Sequence, residues 1–184
     1  FKPVPVGIIN QVPCMTALEL AAEANLEPKD IAAIEIRTAR SEANYPGAAA
    51  RGPFRQISGA TMSTIYCVAL ALSRRQVTLE GFHLFDDPTI LSLMERSTLV
   101  PSDLPRLSCD IEVTTLDGRT FEKRMRRSRE DFACGFDGVK GLMRSLAPEM
   151  AISSENLERL IEDVANIESC DRIDSIVELL CERE

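Results

Sequence analysis

The sequence predicts an α+β domain: a small mixed or antiparallel sheet, built around a β-hairpin and packed by helices. Three observations carry this. Residues 107–128 hold two alternating apolar–polar runs split by Asp117-Gly118, the strongest short-range hairpin signal. Residues 31–39 alternate in the same way, with Ile34, Ile36 and Thr38 set against Glu35 and Arg37. The other apolar segments recur at helical spacing, and the order is helix, strand, helices, hairpin, helices, not strict βα alternation.

Taken in order, Met15, Leu18, Ala21, Ala22 and Leu26 define a first helix, with Pro13 placed in its first turn, where a missing N–H costs nothing. Glu27-Pro28-Lys29-Asp30 breaks it before the strand at 31–39. Residues 40–59 contain Pro, Gly and small polar residues without a period and predict a long loop. Loops of this length are commonly functional. Residues 61–75 predict one apolar helix, with Arg74 and Arg75 suited to the negative charge at its end. Residues 77–84 form a connector, and 86–97 a helix with an acidic start and Pro88 in the first turn. In the hairpin, Cys109, Ile111 and Val113 share one face. Residues 137–150 predict a helix stopped near Pro148. Residues 153–167 predict another, capped by Ser153 or Asn156. The last, from Cys170 onward, carries Ile173, Ile176, Val177 and Leu180 on one stripe.

The 184 residues suffice for one domain with a real core, spanning 1–184. Apolar residues are 45% and charged residues 27%, a globular balance. The longest apolar run, around residues 66–72, is too short to span a bilayer, and the start lacks the pattern of a signal peptide. The net charge of −8 repels nucleic-acid backbones, so the expected partners exclude nucleic acid and membrane. An anionic substrate then needs a local cluster of Lys and Arg. The six cysteines contain no C-x-x-C pair, and no histidine lies at ligand spacing, so no metal site is expected. Cys14, Cys67 and Cys109 lie in apolar periodic segments, as buried free thiols of a reducing compartment do. The absence of an N-x-S/T site agrees with a cytoplasmic protein.

Several residues invite both a chemical and a structural reading. Lys2 precedes a stiff Pro3-Val4-Pro5 run that reads like the middle of a chain. Its ammonium is either a solvated terminal charge or a compact cation for a closed pocket. Tyr66, on the apolar helix, is either a core tyrosine or a donor to a carboxylate. Ser63 lies one turn earlier and bonds either a ligand or its own helix. Asn10 and Gln11 offer amide hydrogen bonds to a substrate. His83, the single histidine, lies in a connector beside aromatic residues and reads as structural. Lys123–Arg129 is a basic cluster in an acidic chain, read as a solvated strand end or an anion collector. Gly135–Gly141 lacks the strand context and the Lys-Ser/Thr ending of a phosphate loop and reads as a helix start.

Four stretches, in order, resemble the C-terminal domain of the MmgE/PrpD family, which includes 2-methylcitrate dehydratase, cis-aconitate decarboxylase and iminodisuccinate epimerase. Residues 2–21 are similar to its lysine- and proline-containing segment leading into a helix of small residues. Residues 30–38 are similar to its following strand, 57–82 to its Ser-x-x-Tyr helix and connector, and 111–125 to its hairpin. Lys140 is similar to the lysine opening the next helix. The resemblance implies a lyase (dehydratase or decarboxylase) or an isomerase acting on a small di- or tricarboxylate, without cofactor. It also implies a helical N-terminal partner domain that supplies most catalytic groups, and a homo-oligomer. In these terms Lys2 and Tyr66 are the expected catalytic residues, and Ser63, Asn10 and Gln11 the expected substrate-binding ones. Gly7 departs from the family, many of whose members carry a histidine in or near this segment. That departure keeps an alternative open: a non-catalytic assembly module derived from the same fold.

Overall fold

The computed structural model describes residues 1–170 and 172–181. Contacts divide the chain into two compact units, one spanning Lys2–Phe132 and the other built from Ala133 onward. Asp171 and Glu182–Glu184, part of the expected last helix, lie outside the described residues.

The first unit opens with α1 (Ile8–Glu23), followed by β1 (Ile31–Ala39). Two short helices, α2 (Arg40–Ala43) and α3 (Ile57–Met62), flank the long loop, and α4 (Thr64–Arg74) and α5 (Pro88–Glu95) follow. The remaining strands are β2 (Ser97–Ser102), β3 (Ser108–Thr115) and β4 (Thr120–Arg126). The sheet order is β2-β1-β3-β4, with β1 parallel to β2 and antiparallel to β3. The expected α+β class with a mixed sheet and a hairpin is therefore what the chain adopts.

The hairpin turns at Asp117-Gly118, where Gly118 has φ +83°, a conformation that costs glycine little. Asp117 accepts the Thr115 hydroxyl and pairs with Arg119 across the turn. Ile34, Ile36, Cys109, Ile111 and Val113 are all buried on the helix-covered face. α1 packs on β3 and β4 and against α4. α4 is enclosed, and every residue from Thr64 to Leu72 is buried. That explains its uniformly apolar run, since a helix covered on all sides needs no polar face.

Four expectations differ in detail. α1 begins at Ile8, so Pro13 lies inside the helix and not in its first turn. The apolar helix expected over 61–75 is α4, which starts only at Thr64 because Ser63 takes extended backbone and caps it; Thr61 and Met62 instead end α3, which begins within the expected loop. β2 was not expected, as no element was assigned to residues 98–106; it contains Pro101 but is an edge strand, where a proline is tolerated. Finally, the sequence gives no turn for α2, which interrupts the loop at its start.

The second unit comprises α6 (Phe136–Leu146), α7 (Ser154–Ala165) and α8 (Asp174–Cys181). Ser153 caps α7, its hydroxyl accepting the Asn156 N–H. Arg144 of α6 pairs in a fork with Glu158 of α7 at 2.7 Å. The expected apolar stripe of the last helix is out of phase. Leu179 is buried, whereas Ile173, Val177 and Leu180 are exposed and Ile173 precedes the helix. Ile176 and Leu179, one turn apart, form the inward line. Among the described residues, no helix is long and apolar enough to cross a membrane.

Candidate functional site

Pro3 and Pro5 have no N–H, so residues 2–7 cannot join a sheet, and their carbonyls need other partners. Gln11 provides them. Its amide nitrogen donates to the carbonyls of Val4 at 2.8 Å and Val6 at 3.0 Å. Its amide oxygen accepts the Val4 N–H at 3.3 Å. Gln11 is fully buried, and Val4 and Val6 are buried beside it. One side chain thus fixes the path of the segment that carries Lys2, which is exposed at its start.

The neighbouring Asn10 ties α1 to the α3–α4 break. Its Nδ2 donates to the Thr61 carbonyl at 2.9 Å, and its Oδ1 accepts the Thr64 hydroxyl at 2.6 Å. At the same break the Ser63 hydroxyl donates to the Ala50 carbonyl at 2.6 Å and accepts the Tyr66 N–H at 3.0 Å. Ser63→Ala removes this cap and the tie to the long loop, and is expected to cost about 1–2 kcal/mol in chemical denaturation.

Tyr66 lies in the core between Phe54, edge-on at 5.4 Å, and Phe82, stacked at 5.9 Å. Its hydroxyl donates to the Gly81 carbonyl at 3.0 Å. Burial is the main cause that pushes its pKa up to about 12, so it remains a neutral donor. Tyr66→Phe is expected to lose about 1 kcal/mol of stability, read from the shift of the urea midpoint. Of these residues, Asn10 joins α1 to α4, Gln11 holds the N-terminal segment, Ser63 holds the long loop, and Tyr66 holds the turn at Gly81. Each has its polar atoms engaged by the protein, whereas Lys2 is exposed at the start of the anchored segment.

His83 is exposed in the turn Glu80–His83, tilted against Phe85. The basic cluster divides. Lys123 pairs with Glu19 and Glu23, Arg124 with Glu122, and Arg126 with Asp110. Arg127 and Arg129 instead line a hollow of about 690 Å³ with Ile8, Arg106, Leu107 and Phe132. A second hollow, of about 430 Å³, is lined by Gly7, Ser41, Glu42, Tyr45, Met62 and Arg106, among others. Ile8 and Arg106 line both. At Gly7 an added Cβ would meet the Met62 sulfur at 3.3 Å, so a larger residue there requires Met62 to yield.

Glu42, Tyr45 and Arg106 were not candidates on sequence. Glu42 stands in a run read as loop, and Arg106 in a proline-rich connector. The pertinent signal was the functional reading of the long loop, which names no residue. Arg51, in the same loop, donates to the carbonyls of Met94 and Ser97 and fastens the loop to the end of α5.

No curated protein matched the chain. A family model, however, covers Val4–Cys134, nearly coincident with the first unit; Lys2 and Lys140 fall outside the matched span. With residues 4–134 matching the MmgE/PrpD C-terminal domain, the chain belongs to that family.

Proposed function

We propose that this chain is the C-terminal part of an MmgE/PrpD-type lyase or isomerase that acts on a small di- or tricarboxylate, as a 2-methylcitrate dehydratase does. A helical N-terminal domain or subunit completes the pocket and supplies most of its catalytic groups. The reaction removes a proton alpha to a carboxylate, and charge then builds on the carboxylate oxygens. A lysine ammonium held where that charge develops stabilises it. The observation that carries this reading is the anchoring of Val4 and Val6 by Gln11, which presents Lys2 on a fixed segment within a domain of this family. In this reading Tyr66, Ser63 and Asn10 act through the framework beneath that segment. The protein works in the cytoplasm, without a cofactor, as a homo-oligomer.

The experiment is an assay of the complete protein on a panel of di- and tricarboxylates, following loss of water, loss of carbon dioxide and exchange of carbon-bound protons. Turnover of one of them supports the reading, and silence across the panel opposes it. A second reading, an assembly module without catalysis, is favoured by Gly7 and by the Met62 sulfur packed against it. It predicts silence in the same assay.

A further inference from the structure

The hollow beside Gly7 contains a carboxyl group that the sequence did not flag. Glu42 is 3% exposed, yet lines the cavity with Tyr45, Ser41 and Arg106. Its Oε1 accepts the Leu107 N–H at 3.0 Å and lies 3.8 Å from the Arg106 Nε. Among the described residues its Oε2 makes no hydrogen bond. Burial raises the pKa of Glu42, against the lowering effects of the Leu107 N–H and then Arg106. A buried carboxyl with a raised pKa that lines a cavity is suited to giving and taking protons.

Cations line this hollow and its neighbour. Arg106 lines both hollows, and Arg127 and Arg129 line the larger. Among the described residues no salt bridge joins Arg127 or Arg129 to a carboxylate. Leu107, between them, has φ +58°, an unusual value for a residue with a Cβ. Its N–H is held by Glu42, and its carbonyl accepts the Arg127 N–H at 2.9 Å. One backbone position thus links the acid to the arginine-lined cavity.

We propose that Glu42 is a proton-transfer residue of the cavity beside Gly7, and that Arg106, Arg127 and Arg129 hold the anionic end of the substrate. The inference rests on the carboxylate-lyase reading above and deepens it. The Glu42 carboxylate takes a proton from the carbon alpha to a substrate carboxylate. The C–H bond breaks and an O–H bond forms on Glu42. The electron pair passes into the adjoining carboxylate, where Arg106 stabilises it. Return of the proton to carbon gives exchange or inversion. Its delivery to a β-hydroxyl releases water: the pair held on the carboxylate returns to form the carbon–carbon double bond, and the C–O bond breaks with its pair leaving on the oxygen.

The test uses the complete protein with citrate as probe. Calorimetry measures binding, and transfer of deuterium from D2O into citrate carbon measures proton removal. Glu42→Gln keeps an oxygen for the Leu107 N–H, so the fold is retained, as circular dichroism checks. The expected result is citrate binding within about threefold of wild type with exchange slowed at least 100-fold. Arg106→Ala and Arg127→Ala are expected to weaken citrate binding about tenfold each. Exchange by Glu42→Gln at the wild-type rate overturns the role of Glu42 while leaving the broader reading intact. Absence of citrate binding and exchange in the wild type overturns this proposal, and silence across the whole panel of di- and tricarboxylates overturns the broader reading as well. If Glu42→Gln unfolds, Glu42→Asp provides the check: wild-type exchange there, with Arg106→Ala binding citrate normally, overturns the proposal.

Discussion

Lys2→Ala in the complete protein is expected to cut turnover of its carboxylate substrate by about 100-fold, leaving the melting temperature unchanged. Lys2 is exposed, so its removal is expected to leave the fold intact. In a closed pocket a charge-assisted hydrogen bond to a developing oxyanion is worth about 2–3 kcal/mol, which is the size of that rate loss. Lys2→Arg keeps the charge but not the compact geometry and is expected to recover only part of the rate. Steady-state kinetics beside a thermal melt separates these effects. Unchanged kcat/KM in Lys2→Ala means that the segment does not reach substrate.

The second large effect is expected at Gln11. Gln11→Leu is close in volume but offers no hydrogen bonds. It strands the Val4 N–H and the Val6 carbonyl, both on buried residues, while the Val4 carbonyl keeps the Val6 N–H at 2.8 Å. Each buried backbone group left without a partner costs about 1–3 kcal/mol, so a loss of about 2–4 kcal/mol is expected. Urea denaturation reads it. The segment then loses its fixed path, and hydrogen exchange at Val4 and Val6 should accelerate well beyond that of the neighbouring α1 amides. A loss below 1 kcal/mol contradicts the clamp.

These two residues show what sequence can and cannot reveal. The hairpin was readable because a period of two and Asp117-Gly118 agree, and β1 because Ile34 and Ile36 alternate with charged residues. β2 was hidden: Pro101 is disfavoured in most strands, and pairing parallel to β1 is a long-range contact that no local pattern encodes. The split between α3 and α4 was hidden because an enclosed helix has no polar face to mark its phase. Asn10 and Gln11 were visible as polar residues in an apolar segment, which suggested ligand binding. The structure puts them at work on backbone groups that Pro3, Pro5 and the α3–α4 break leave without partners. Glu42 was invisible, since its burial depends on Leu107 and Arg106, some 65 residues away along the chain.

The most direct test of the central claim, that this chain completes a carboxylate pocket with a helical partner, compares three samples on the same panel of di- and tricarboxylates. They are this chain alone, the helical part alone, and the two together as the complete protein. The account predicts turnover in the third sample and none in the first two. Turnover by either part alone at the rate of the complete protein, or none by the complete protein on any member of the panel, contradicts it.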